Sequence, residues 1–148
     1  MQPQMNNSAN IVPGVLQDLG KPTKLQTTAY WVVTAFLLLN LLTGGIADVV
    51  QPEAYVEIMI LLGYPLYFMM ILGVWKLLAI VTLLAPGYPL LKEWAYAGIF
   101  FNMTGAALSH AVSGSATWHI LYPAFLAVLT LASWALRPPN RKLEAGYD

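Results

Sequence analysis

The chain has 148 residues, of which 58% are hydrophobic and only 9% charged, with seven basic side chains balancing seven acidic ones. A mean hydropathy of +0.62 excludes an ordinary soluble domain of this length, and with no basic run beyond Arg141 and Lys142 nucleic acid is excluded as a partner. Cysteine is absent, which removes disulfides, thiolate metal sites and dithiol chemistry, so any redox role needs a bound cofactor.

Residues 1–26 are rich in Gln and Asn and are broken by Pro3, Pro13 and Pro22. They read as a mobile polar tail, with a short surface helix at 11–19. The tail is expected to stay on the mature protein, because the first apolar run starts too far from Met1 and is too long for a signal peptide. Four apolar runs follow, at 27–47, 65–85, 92–112 and 117–136. Each is long enough to cross a hydrocarbon core of about 30 Å, and in lipid such runs must be helical. The predicted fold is therefore all-α, an integral-membrane four-helix bundle. Between the first two runs, at 48–64, Pro52 and Glu53 open a short amphipathic helix that ends at Gly63-Tyr64-Pro65, placed on the membrane or over the bundle. Residues 137–148 form a C-terminal tail.

Alternate crossing puts Lys21, Lys24, Lys92, Arg137, Arg141 and Lys142 on one side, while the opposite loops hold Asp48, Glu53 and Glu57 and no Lys or Arg. The positive-inside rule then places both termini in the cytoplasm. Trp31, Trp94, Trp118 and Trp134 fall near span ends, where an aromatic belt belongs.

At about 100° per residue each run has one polar or small face. The third aligns Gly98, Asn102, Gly105 and Ser109, a stripe suited to close helix contact, and the first aligns Asn40, Thr43, Gly44 and Ala47. The second aligns Met69, Gly73, Lys76 and Ile80, and the fourth His119, Tyr122, Leu126, Thr130 and Ser133. Lys76 lies deep in its run, about 16 Å from the outer end. An ammonium there needs a partner, and equal depth nominates the amides of Asn102 and, somewhat higher, Asn40. Lys76 either stabilises the bundle through them, snorkels to the cytoplasmic headgroups, or holds a ligand such as a quinone carbonyl, an anionic lipid or a substrate oxyanion. His110 and His119 flank the Ser113-Gly114-Ser115 loop at one depth, but two histidines without a third ligand do not define a metal or haem site. A 100° offset of His110 from the Gly98 stripe also argues against a shared axis. Glu93 suits the start of a helix, and Pro65, Pro86, Pro89 and Pro123 mark starts, turns or a bend.

The stretch from Leu62 to Gly114 resembles the DoxX-like family of small four-span membrane proteins. The resemblance rests on Gly63-Tyr64-Pro65, Leu72-Gly73-Val74-Trp75-Lys76, Ala85-Pro86, Leu91 to Gly98, and Thr104-Gly105-Ala106-Ala107 with Ser109-His110. It implies a bacterial inner-membrane protein that touches quinone or another lipophile. Many relatives carry an acidic residue where this chain has Asn102, which removes the obvious counter-ion for Lys76. The leading expectation is a redox-accessory or binding protein in which a lipophile contacts Lys76, Asn102, Trp75, Asn40, Tyr64, Tyr67 and His110. The alternatives are a membrane enzyme, an isomerase or reductase, using Lys76 or His110 as acid or base, and a transporter or structural subunit that forms homo-oligomers or recruits a redox partner protein. Membrane lipid surrounds the chain in each case.

Overall fold

A computed structural model describes residues 23–142. The expected tail over 1–22, with its surface helix at 11–19, and the end of the C-terminal tail at 143–148 lie outside the described residues. The chain runs through α1 (Lys24–Val50), α2 (Glu53–Leu61), α3 (Leu66–Leu84), α4 (Pro89–Val112), α5 (Thr117–Leu136) and a 3₁₀ turn (Pro139–Arg141).

Local chemistry sets these boundaries. The Thr23 hydroxyl accepts a hydrogen bond from the Gln26 amide at 3.1 Å, an N-cap that starts α1 before its apolar run begins. α1 closes at Gln51, which adopts a left-handed conformation (φ 56°) and returns its amide to the Ala47 carbonyl just ahead of Pro52. Asp48, expected in the outer loop, therefore belongs to the last turn of α1. α2 opens on Glu53 and stops before Gly63, whose φ of 78° favours a residue without Cβ. No residue of α2 is buried, and it contacts α3. Pro89 is the first residue of α4, where its missing N–H costs nothing, so this helix starts three residues before the apolar run. Pro123 lies buried within α5.

α1, α3 and α5 are long and apolar enough to cross a membrane. α4 is 24 residues long, but with Lys92, Glu93, Asn102, Ser109 and His110 along it, it does not reach the same hydropathy. The four long helices pack side by side: α1 against α3 and α5, α4 closely on α5 and more loosely on α3. All four contribute to one core, formed by Leu37 and Leu41, Leu83, Tyr96, Ile99 and Met103, and Leu126 and Ala127.

α1 and α3 come close enough for backbone to meet backbone. A Cβ at Gly73 would lie 2.9 Å from the Gly45 carbonyl oxygen, Asp48 Cβ and Val49 Cγ2, and one at Gly45 would lie 3.2 Å from Lys76 Cβ. These two glycines, and not the stripe on the third run, let backbones meet.

The basic end of the molecule is tied by polar contacts. Lys92, 1% exposed, donates from Nζ to the carbonyls of Ala85 and Gly87, and Arg141 Nη1 donates to the Leu83 carbonyl at 2.9 Å. Both cations therefore sit at the C-terminus of α3, whose dipole favours positive charge. Arg137 pairs with Glu93 at 2.6 Å and lies over the Tyr96 ring, and Trp134 Nε1 donates to the same carboxylate. Glu93 thus acts across helices, beyond the first turn of α4 where a dipole effect would apply. Ser133 Oγ links Thr34 and Tyr96 at 2.7 and 2.8 Å, joining α1, α4 and α5. Arg137 to Arg141 accordingly dock on the helices and do not form a free tail.

Candidate functional site: a cavity between α3 and α4

Where α3 and α4 diverge they leave a cavity of about 680 Å³, within the range of roughly 300–1,000 Å³ typical of small-molecule sites. Small residues face each other across it: Ala79 on α3, Ala95 and Gly98 on α4. A Cβ at Gly98 would meet nothing within 4 Å, and the same holds for Gly105. The expectation that the Gly98–Ser109 stripe makes close helix contact is corrected here, because these glycines border open space.

The lining is mostly apolar, with Ile71, Trp75, Leu78, Leu91, Trp94 and Ile99 prominent. Its polar members are Lys76, Thr82 and Asn102. The Thr82 hydroxyl is used within its own helix, on the Leu78 carbonyl at 2.9 Å. Lys76 and Asn102 are the remaining polar groups of the lining. α3 and α4 run in opposite directions, so Asn102 lies toward the end of the cavity nearer α2, beside the level of Ile71 and Leu72, Lys76 falls about midway, and Leu91 and Trp94 line the end nearer the arginines. The site is an apolar space with two polar side chains in its lining.

Lys76 does not rely on the amides of Asn102 and Asn40. Its Nζ donates to Asp48 Oδ2 at 2.6 Å in a pair whose side chains are 17% and 10% exposed. The reason is the glycine contact: Gly45 and Gly73 bring the backbones together, Lys76 Cβ lies beside Gly45 and Asp48 Cβ beside Gly73, and the long lysine side chain spans the distance between them to reach the carboxylate. Asp48 also sits at the negative end of the α1 dipole, which makes a nearby cation more favourable still. The pairing is visible in retrospect as Gly-x-x-Asp in the first run and Gly-x-x-Lys in the second.

Of the residues predicted for the site, Lys76, Asn102 and Trp75 line the cavity together. The other four lie elsewhere. Asn40 accepts from the Tyr122 hydroxyl and donates to the Phe36 carbonyl, on the α1–α5 side. Tyr64 stacks on Phe68 and bonds Ser109 at 2.8 Å, at the end nearer α2. Tyr67 is 70% exposed. His110 bonds Ser115 at 3.0 Å and stacks on His119, ring centroids 5.4 Å apart and planes 20° from parallel. The tight turn between α4 and α5 brings the two rings together despite the offset of His110 from the glycine stripe. Among the described residues no group of three or more His, Asp or Glu side chains is placed to hold a metal ion.

The model of the DoxX-like family matches residues 32–133, from the early turns of α1 to the last turn of α5. The chain belongs to the DoxX-like family. No curated protein and no solved structure matches it. In this DoxX-like protein the matched stretch holds every residue lining the cavity and both members of the Lys76–Asp48 pair, whereas Trp134, Arg137 and Arg141 lie beyond it.

Proposed function

We propose that this DoxX-like protein binds a quinone or other small lipophilic molecule in the cavity between α3 and α4, as a binding or redox-accessory protein of the bacterial inner membrane. The observation that carries the reading is the cavity itself: a largely apolar space with one ammonium and one amide in its lining, which suits a molecule with a small polar head and a hydrocarbon body. All four long helices cross the bilayer in this reading. The looser α3–α4 seam gives a lipophile a lateral way in from the lipid. Support for both termini in the cytoplasm comes from the charges: Lys24, Lys92, Arg137 and Arg141 gather at one end, Asp48, Glu53 and Glu57 at the other.

The test is mass spectrometry, with a visible spectrum, of lipophiles that co-purify in mild detergent with wild type, Gly98→Leu and Lys76→Met. Gly98→Leu fills the cavity where nothing opposes a side chain. A stoichiometric lipophile in wild type that is lost from folded Gly98→Leu is the expected result. Bulk phospholipid alone in all three preparations overturns the reading and favours a subunit or scaffold role. A Soret band would move attention to the stacked histidines.

One observation favours a second reading, a membrane enzyme acting on a lipophile: Lys76 and Asp48 place a proton donor and an acceptor 2.6 Å apart at the cavity edge. It predicts a chemically altered form of the co-purified lipophile with wild type that is missing with Lys76→Met.

A further inference from the structure

A lone ammonium in an apolar cavity is an anion trap. In this cavity it is not alone. Lys76 is the one charged residue of the lining, and the Asp48 carboxylate behind it, 7% exposed, takes up its charge at 2.6 Å. The other charged groups at this end of the molecule, Glu53 and Glu57 on α2, are acidic. The cations Lys92, Arg137 and Arg141 are committed at the opposite end.

We infer that Asp48 sets the headgroup this cavity accepts: by neutralising Lys76 it selects lipophiles with an uncharged acceptor head, such as a carbonyl or ester, over those headed by a carboxylate or phosphate. The inference rests on the reading that the cavity binds a lipophile, and it deepens that reading by naming the class. A carboxylate entering beside Lys76 would bring a second negative charge near Asp48 into a space with few polar groups, where like charges are poorly screened. It would have to displace Asp48, leaving that carboxylate buried and unpaired against the negative end of α1. A neutral carbonyl meets no such penalty. An ammonium has three N–H donors, Asp48 takes one, and the Asn102 amide supplies further donors in the same lining. Asp48 acts through Lys76, as a positioning residue that determines specificity without lining the cavity.

The test is a titration read by native mass spectrometry, in mild detergent at alkaline pH, with palmitate and methyl palmitate, which share a chain and differ in the charge of the head. Wild type is expected to prefer the ester by roughly tenfold or more. Asp48→Asn is expected to reverse the order, because Lys76 is then an uncompensated cation. Asp48→Asn/Lys76→Met, with neither charge, returns to the ester. Gly98→Leu binds neither. A merely structural role for Asp48 would lower both affinities together and leave their ratio unchanged, and that result overturns the inference, as does a wild-type preference for palmitate. In either case binding that still disappears in Gly98→Leu leaves the cavity reading intact. Absence of binding to wild type, or binding indifferent to Gly98→Leu, removes the cavity reading and this inference with it. Asp48→Ser, which deletes the charge with a smaller side chain, gives the same reversal and replaces Asp48→Asn if that variant does not fold.

Discussion

The two faces of α3 are built in opposite ways. Toward α1, Gly73 lets a backbone approach until no Cβ fits, and the charged pair Asp48–Lys76 is sealed beside it. Toward α4, the facing Gly98 has no neighbour, and the helices leave a cavity open on one side. The same residue type serves as a contact on one side and as a vacancy on the other, so a glycine on a membrane helix reports only that a side chain is absent. Whether a partner backbone or a ligand uses the space depends on the helix across from it.

The contrast can be tested by substitution. The largest effect is expected from Lys76→Met, which leaves Asp48 buried without its counter-charge and should lower stability by about 3 kcal/mol. Adding Asp48→Asn should recover most of it, and denaturant titration of the detergent-solubilised protein measures both. If the single variant is as stable as wild type, the pair does not hold α1 to α3. Gly73→Ala comes next. Its new methyl group collides with backbone and two side chains at 2.9 Å, and a loss of about 2 kcal/mol is expected; an unchanged melting temperature by circular dichroism would mean the seam has slack. Away from both seams, Trp134→Phe removes one hydrogen bond to a partly exposed carboxylate. Tryptophan-free unfolding probes should report about 1 kcal/mol lost. The smallest effect has the opposite sign: Gly98→Ala adds helix propensity in open space and should stabilise by up to about 1 kcal/mol. Destabilisation there would show that α3 and α4 close on each other in the membrane.

Much of the fold is legible in the sequence, because membrane helices declare themselves by length and apolarity. The start of α2 at Glu53, the turn at Gly63-Tyr64-Pro65 and the depth of Lys76 all follow from local signals. The partner of Lys76 does not. Once the first span is drawn to end at residue 47, Asp48 is counted with the loop, although α1 continues through Val50. The pairing then depends on which helices are neighbours, a long-range fact that periodicity does not contain. The same limit applies to the candidate site. Lys76, Asn102 and Trp75 share the cavity because α3 and α4 face each other there, while Asn40, equally polar and at a similar depth, turns to Tyr122 on α5. Lys92 and Arg137 were visible as topology signals, yet their burial against backbone carbonyls and Glu93 was not, since composition counts a cation the same whether it is solvated or enclosed.

The contacts at the end of α3 bear on how the protein is made. The carbonyls just past the end of that helix are met by Lys92, from the very next helix, and one in its last turn by Arg141, from beyond α5. A chain emerging from the ribosome supplies the first partner almost at once and the second only after α5 has been synthesised. Until then α3 is held at that end by one cation, and the arrangement of the earlier helices stays open to adjustment. Arg141 thus works as a closing clasp on α3, fastened once α1 to α5 have been made.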